Sequence, residues 1–230
     1  MRIFPLGDSA LTIEFGNEIS LHINDKAHAL ARHFAAHPFP GLVEAVPAYS
    51  SVSLFYKTTV VRDAYPGSLT AFAALSSIAE KAAENLELIP ATERPIVEIP
   101  IQISDTLSPD LEGLCEFSKL NRIDVLDIFL AGTYRVYMLG FLPGFAYMGD
   151  VDERIAAPRL KTPRTKVPKG SVGIAGKQTG IYPLESPGGW NIIGRTDLDM
   201  FDPSSPEPCL LRPGDEVIFV LRPELRDLKS

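Results

Sequence analysis

Seven cationic side chains lie close together in the sequence and are the group best suited to bind a ligand. No Asp or Glu lies between Glu153 and Glu185, so this segment is positive, although the whole chain has a formal net charge of −7. A positive segment on an acidic protein attracts a small anion and repels a polyanion. The pattern favours a carboxylate or phosphate ligand over nucleic acid. The seven cations are Arg154, Arg159, Lys161, Arg164, Lys166, Lys169 and Lys177.

Two of these arginines, Arg159 and Arg164, each follow a proline. The planar guanidinium group can meet an oxyanion with two hydrogen bonds, and the preceding proline restricts how the backbone swings it. We therefore predict that the pair binds the anion. The alternative, that any single Lys or Arg of the segment belongs to a solvated surface, stays open.

A glycine-rich stretch with the only tryptophan follows the cations. Gly188 and Gly189 precede Trp190, and Arg195 ends the next apolar run. Glycine allows a ligand to approach the backbone, while tryptophan offers an apolar wall, so this is the composition of a small-molecule pocket. No catalytic residue is assigned from the sequence. The predicted substrate-binding residues are Arg159, Arg164, Lys177, Gln178, Tyr182, Gly188, Gly189, Trp190, Arg195 and Phe145.

Several kinds of site are disfavoured by the positions of particular residues. All four histidines lie between His22 and His37, so a Ser-His-Asp or Cys-His mechanism cannot be built within the carboxyl-terminal region. We predict that these histidines are surface residues and that no metal is bound. The Gly176-Lys177 pair lacks the glycine and the Ser or Thr that a Walker A loop needs at positions 171 and 178.

Hydrophobic spacing and breaker residues predict an α+β protein with two domains. Residues 140–214 hold 11 of the 17 glycines and 10 of the 20 prolines, with β-branched and aromatic residues between them, which is typical of short strands and tight turns. We predict a small α/β sandwich domain over residues 1–90 and a β-barrel domain over residues 91–230, joined within 89–95. Helices are predicted at 20–37, 68–88, 111–120 and 123–130, with Ser108 as a helix cap.

A membrane span needs about 20 consecutive apolar residues, and no segment of the sequence comes near that length. The amino-terminal segment is broken by Pro5 and Gly7, and no export signal is predicted. Cys115 and Cys209 suggest neither a disulfide framework nor a zinc site, so a reducing cytoplasm is the expected location. The two helices at 111–130 could form a DNA-binding helix-turn-helix, but their acidic residues disfavour it.

Three long motifs resemble the KipI family, which comprises the 5-oxoprolinase B subunits and is also called allophanate hydrolase subunit 1. They are GFLPGFAYMG from Gly140, PRLKTPRTKVPKGSVGIAGKQTGIYP from Pro158 and SPGGWNIIGRT from Ser186. The resemblance implies a small α+β domain followed by a cyclophilin-like β-barrel, equivalent to part of the carboxyltransferase domain, subdomains C and D. The sequence departs from the family pattern at residues 103–106 and at Phe129, where the relatives carry a histidine.

The resemblance also implies a function and partners. The main expectation is a subunit, inactive alone, of an ATP-dependent 5-oxoprolinase that opens the 5-oxoproline lactam to give glutamate. Its partners would be a carboxyltransferase-like protein of the KipA type, which is the 5-oxoprolinase C subunit, and a LamB/YcsF-type subunit. ATP is implied for the complex, and no cofactor is expected on this chain alone. The alternatives are a KipI-type inhibitor that binds a histidine kinase, and a subunit related to allophanate hydrolase or urea carboxylase.

Overall fold

The structure is a computed structural model that describes residues 1–88 and 96–222. Contacts between residues divide the chain into two compact units, Met1–Thr92 and Glu93–Ser230. The predicted linker, residues 89–95, lies outside the described residues. Each unit is described by itself below.

The amino-terminal unit is a four-stranded antiparallel sheet with helices packed on it. The strand order is β1-β2-β4-β3. Strands β1 and β2 form a hairpin, and β3 and β4 form a second one. The elements are β1 (Arg2–Pro5), β2 (Ala10–Glu14), α1 (Leu21–Ala36), β3 (Leu42–Pro47), β4 (Ser51–Tyr56), α2 (Thr58–Ala64) and α3 (Ala71–Glu84).

One face of this sheet and the helices share a single apolar core. Alternate residues of β2 and β4, Leu11 and Leu54 among them, are fully buried against Leu30 and Phe34 of α1. The short helix α2 was not predicted, because its Thr-Thr-Val-Val sequence favours strands, and burial of Val61 outweighs that preference. The prediction that all the histidines are surface residues is wrong for His28, which is 6% exposed because it lies on the inner side of α1.

The carboxyl-terminal unit is a seven-stranded sheet that nearly closes into a barrel. The strand order is β12-β9-β10-β7-β6-β13-β5. Residues at its two outer strands meet through a backbone bridge in which the Gln102 N–H donates to the Arg195 oxygen (2.7 Å) and the Arg195 N–H donates back (2.9 Å). The seven strands are β5 (Ile96–Ile101), β6 (Tyr134–Leu139), β7 (Ala146–Gly149), β9 (Ser171–Ala175), β10 (Gln178–Ile181), β12 (Asn191–Arg195) and β13 (Glu216–Leu221).

A two-stranded sheet and two helices complete this unit. Strand β8 (Arg164–Val167) pairs with β11 (Ser186–Gly188), and the helices are α4 (Leu111–Ser118) and α5 (Arg122–Leu130). Together these elements confirm the predicted α+β class with a carboxyl-terminal barrel. Among the described residues, no helix has the length and apolar character needed to cross a bilayer.

The barrel core contains Phe129, a position where the resemblance led us to expect a histidine. Phe129 is fully buried, and its ring stacks 5.1 Å from Tyr134 and 4.9 Å from Phe219. The Tyr134 hydroxyl donates to the Phe129 carbonyl oxygen at 2.6 Å. In this protein, position 129 therefore serves the packing of α5 against the barrel.

The predicted cap of α4 is wrong. The helix begins at Leu111 with Asp110 at the N-cap position, and the Asp110 side chain makes no capping hydrogen bond. The Ser108 hydroxyl is buried without a partner. The helix begins at the predicted residue, but the N-cap position belongs to Asp110, whose carboxylate is engaged elsewhere, as shown below.

Candidate functional site

An aromatic cluster covers part of the outer face of the barrel sheet. Phe145, Tyr182 and Trp190 are each at most 5% exposed and are joined by the half-buried Tyr147. The Phe145 ring meets Trp190 at 5.5 Å and Tyr182 at 5.4 Å, both edge to face. Neighbouring strand residues with the opposite parity, such as Ile174, belong instead to the barrel core, so the cluster lies on the other face of the sheet.

Two glycines make the floor beneath the tryptophan. Gly173 and Gly180 face each other across the β9–β10 pair. A Cβ at Gly173 would lie 3.0 Å from the Trp190 Cβ, and a Cβ at Gly180 would lie 3.0 Å from Phe145 and 3.1 Å from the Trp190 ring. Trp190 and Phe145 can rest on the sheet because these positions carry no side chain.

A third glycine is fitted to Tyr182. A Cβ at Gly188 would lie 2.3 Å from the Tyr182 hydroxyl oxygen, whereas a Cβ at Gly189 would meet only Pro163, at 3.5 Å. The Gly189 carbonyl accepts the Leu160 N–H at 2.8 Å. These contacts hold the segment that carries the predicted arginines against the glycine stretch.

Arg159 is the cation that stands over the cluster. Its guanidinium carbon lies 6.0 Å from the centre of the Trp190 ring, a distance at which a cation is attracted to the ring face. The side chain is exposed. Within residues 1–88 and 96–222, no carboxylate forms an ion pair with it, so its charge is available to an anion.

The two tyrosine hydroxyls next to Arg159 are neutral near pH 7. Burial raises the pKa of Tyr147, against a smaller opposing effect of Arg159. Burial also raises the pKa of Tyr182, opposed by a hydrogen bond from the Trp190 backbone and by the charges of Arg159 and Arg164. Neutral phenol groups are hydrogen-bond donors, and neither of these two is suited to act as a general base near pH 7.

Arg164 reaches the same region but is already paired. Its Nη2 donates to Oδ1 of Asp110 at 2.5 Å, and its Nη1 is buried without a hydrogen-bond partner. The Asp110 side chain is 10% exposed. The charge of Arg164 is therefore largely compensated, and of the two arginines that follow a proline only Arg159 presents an uncompensated cation.

Most of the predicted cationic segment is neutralised by carboxylates of the same unit. Five of its seven side chains form ion pairs with acids that lie outside the segment, and only Arg159 and Lys161 have none among the described residues. The tertiary structure thus leaves Arg159 and Lys161 as the cations of this segment that can still attract an anion. The pairs are Arg154–Asp152, Arg164–Asp110, Lys166–Glu185, Lys169–Asp199 and Lys177–Glu153.

Three predicted site residues lie at the margins of the cluster. Gln178 is on the outer face, two residues from Gly180 on β10, and is partly exposed. Lys177 lies in the turn before β10, with its ammonium group on Glu153. Arg195 is at the far end of β12 from Trp190, opposite Ser171, where its backbone closes the barrel. The roles of these three residues remain predictions.

The sequence reasoning missed four residues that shape the site, namely Tyr147, Asp110, Gly173 and Gly180. A signal for the glycine pair was present, because Gly173 and Gly180 are equidistant from the two-residue Gly176-Lys177 turn and must face each other in a hairpin. No local signal connects Asp110 to Arg164, since 54 residues separate them.

The Gly176-Lys177 turn presents no free cation to a phosphate, because its lysine is held by Glu153. In the part of the chain that the structure describes, no three His, Cys, Asp or Glu side chains are grouped as metal ligands. The uncompensated cation over Trp190 is suited to a small anion.

Comparisons with known proteins agree with this architecture. A family model described as carboxyltransferase domain, subdomain C and D, matches residues 1–211. The B subunit of 5-oxoprolinase from Bacillus subtilis (strain 168) is 44% identical over 95% of this chain and 92% of that protein. The corresponding B subunit from Escherichia coli O157:H7 is 37% identical over 97% of both.

A solved structure shares the fold. The crystal structure of TTHA0988 superposes with a TM-score of 0.78 at 34% identity, over 96% of this chain and 40% of that one. The present chain therefore spans well under half the length of TTHA0988. From the match over residues 1–211 and relatives above 30% identity along nearly the whole chain, this protein belongs to the carboxyltransferase domain, subdomain C and D, family, alongside the B subunits of 5-oxoprolinase.

Proposed function

We propose that this chain is the B subunit of an ATP-dependent 5-oxoprolinase and contributes a binding surface for the 5-oxoproline carboxylate. The observation that carries the proposal is the uncompensated Arg159 guanidinium over Trp190, in a chain that is 44% identical to a 5-oxoprolinase B subunit. The substrate has the matching chemistry, because it is a flat five-membered lactam with one negative charge.

Each group in the cluster would have a distinct task. Arg159 would bind the carboxylate, and the exposed edge of the aromatic cluster would contact the ring. The neutral hydroxyl of the half-buried Tyr147 could donate to the lactam oxygen, where negative charge grows when the amide is attacked. Trp190 and Phe145 would hold Arg159 and Tyr147 in place rather than react.

The proposed subunit is not an enzyme by itself. An amide carbonyl is a poor electrophile, so its hydrolysis needs activation, which in the proposed complex is coupled to ATP hydrolysis. A general base next to the Arg159 site would most readily be a histidine or a carboxylate. The carboxyl-terminal unit contains no histidine, and among the described residues no carboxylate forms an ion pair with the Arg159 guanidinium. A general base and the ATP site would come from the carboxyltransferase-like partner of the KipA type and the LamB/YcsF-type partner, in the cytoplasm, where ATP is available.

A reconstitution assay tests this proposal. The chain is purified alone and together with both partner subunits, and glutamate formation from 5-oxoproline and ATP is measured. We expect activity only in the complete mixture and a requirement for ATP. Glutamate production by the isolated chain would contradict the division of labour, and an inactive complete mixture would contradict the function.

One observation favours a second function, the binding of a protein partner such as a histidine kinase dimerisation region. Phe141 is 59% exposed, with a positive φ of 69°, and its ring lies 5.5 Å from Phe145. A positive φ is uncommon for a residue other than glycine, and such backbone conformations cluster at functional sites. A binding assay with an isolated kinase dimerisation domain and the Phe141→Ser variant distinguishes this function. No described residue favours the urea or allophanate alternative.

A further inference from the structure

Asp110 joins three separate parts of the carboxyl-terminal unit. Its Oδ1 accepts from Nη2 of Arg164 at 2.5 Å, and its Oδ2 accepts the Ile192 N–H at 2.6 Å. Its own N–H donates to the Ile192 carbonyl at 3.1 Å. Asp110 thus links three elements: the start of α4, Ile192 on β12 and Arg164 on β8.

The point it holds on β12 is an irregular one. The register of the β12–β9 pair shifts just after it, between Ile192 and Gly194. Strand β12 is also the last strand in the sheet order, so an N–H on its outer side has no further strand to pair with. Asp110 satisfies the N–H of Ile192, which lies two residues after Trp190. The same carboxylate is not used to cap its own helix, so its position serves contacts outside the helix.

Strand β8, which carries Arg164, borders the aromatic cluster. Its Val167 belongs to the cluster, and so does Ile192, whose N–H donates to the Asp110 carboxylate. Arg164 also pairs across the small sheet with Gly188, the glycine fitted to the Tyr182 hydroxyl. Asp110 is therefore bonded to two strands that contribute side chains to the cluster.

We propose that Asp110 is a positioning residue for substrate binding, acting through Arg164 and the Ile192 backbone to hold the wall of the Arg159 site. This inference rests on the proposed function. Asp110 does not touch the substrate in this scheme. Its loss would let the β8 arginine and the β12 bulge move, so the cluster beneath Arg159 would no longer be held for the ligand.

The test compares steady-state kinetics of the reconstituted three-subunit complex with 5-oxoproline as the probe. Asp110→Asn keeps the shape of the side chain and removes its charge. We expect KM for 5-oxoproline to rise about 10-fold, with kcat changed by less than about 2-fold, because binding is weakened and the chemical step is not. Asp105→Asn, which makes the same change at the exposed partner of Arg122, is the matched control and should leave KM unchanged.

A double-mutant cycle separates positioning from general destabilisation. If Asp110 acts through Arg164, Asp110→Asn adds little to the KM of an Arg164→Met complex. Additive effects, or an unchanged KM in the folded Asp110→Asn complex, would overturn the inference. If Asp110→Asn fails to fold, the KM of the Arg164→Met complex is the deciding measurement. An unchanged KM in that complex also overturns the inference. An inactive wild-type complex would refute the proposed function and this inference with it, whereas an active wild type with normal variants refutes the inference alone.

Discussion

The guanidinium of Arg159 lies over the ring of the only tryptophan, Trp190, with 6.0 Å between the guanidinium carbon and the ring centre. Beneath the ring, Gly173 and Gly180 leave the sheet surface bare. The two glycines thus support the Trp190 ring, and the ring in turn supports the exposed Arg159 guanidinium.

Replacing Arg159 with methionine should impair binding without unfolding the protein. An exposed cation over an aromatic ring contributes only about 0.5–1 kcal/mol to stability, so the free energy of unfolding should change little. We expect KM for 5-oxoproline in the reconstituted complex to rise about 10-fold or more. Lys161→Met is the matched control, and an equal effect of both variants would mean that the segment acts only through its total charge.

Gly188 and Gly189 should respond very differently to alanine. The Cβ of Gly188→Ala would overlap the buried Tyr182 hydroxyl, and we expect a loss of about 1–3 kcal/mol in the free energy of unfolding. Gly189→Ala meets only ordinary contacts and should be close to neutral. Urea unfolding followed by the fluorescence of Trp190 measures both, and similar values for the two variants would contradict the packing described here.

Phe129→His should destabilise the protein, although histidine is the residue expected there from the family pattern. The ring is fully buried between Tyr134 and Phe219, so an imidazole would leave polar nitrogens without partners at a cost of about 1–3 kcal/mol. Phe117→His on the exposed side of α4 is the control and should have almost no effect. A Phe129→His protein as stable as the wild type would show that the barrel core can satisfy the imidazole.

Stability should fall at alkaline pH because of buried tyrosines. Burial raises the pKa of Tyr182 and, more strongly, that of Tyr134. The unfolded chain then loses these protons first, so the stabilisation is complete below about pH 10 and is lost as the pH rises through the folded-state values.

Each such group contributes a slope of at most about 1.4 kcal/mol per pH unit. Urea unfolding at pH 8 and pH 10.5 measures the loss for the wild type and for Tyr182→Phe. The variant should lose less stability between the two pH values. A loss equal to that of the wild type would mean that Tyr182 ionises normally.

The sequence alone was sufficient for the class of fold and for four of the five described α-helices. Helical spacing in α1 and the glycine and proline density after Gly140 are local patterns, and local patterns reflect local backbone preferences and the need to bury one face. The same reasoning missed α2, where burial of Val61 in the common core outweighs the preference of its β-branched residues for strands.

The site was only partly accessible from the sequence. Phe145, Tyr182 and Trp190 were among the predicted residues and pack in one cluster, with Arg159 over the tryptophan ring. Their role in binding stays a prediction.

Charge compensation depends on the tertiary structure. The segment with seven cations has no acid of its own, but folding brings Asp110 to Arg164 and Glu153 to Lys177 and leaves Arg159 uncompensated. The sequence determined which residue types were available. It also determined on which face of a strand each one falls, because the face alternates from one residue to the next along the chain. Which arginine keeps its charge for a ligand was decided by contacts between distant segments, because electrostatic pairing depends on distance in space.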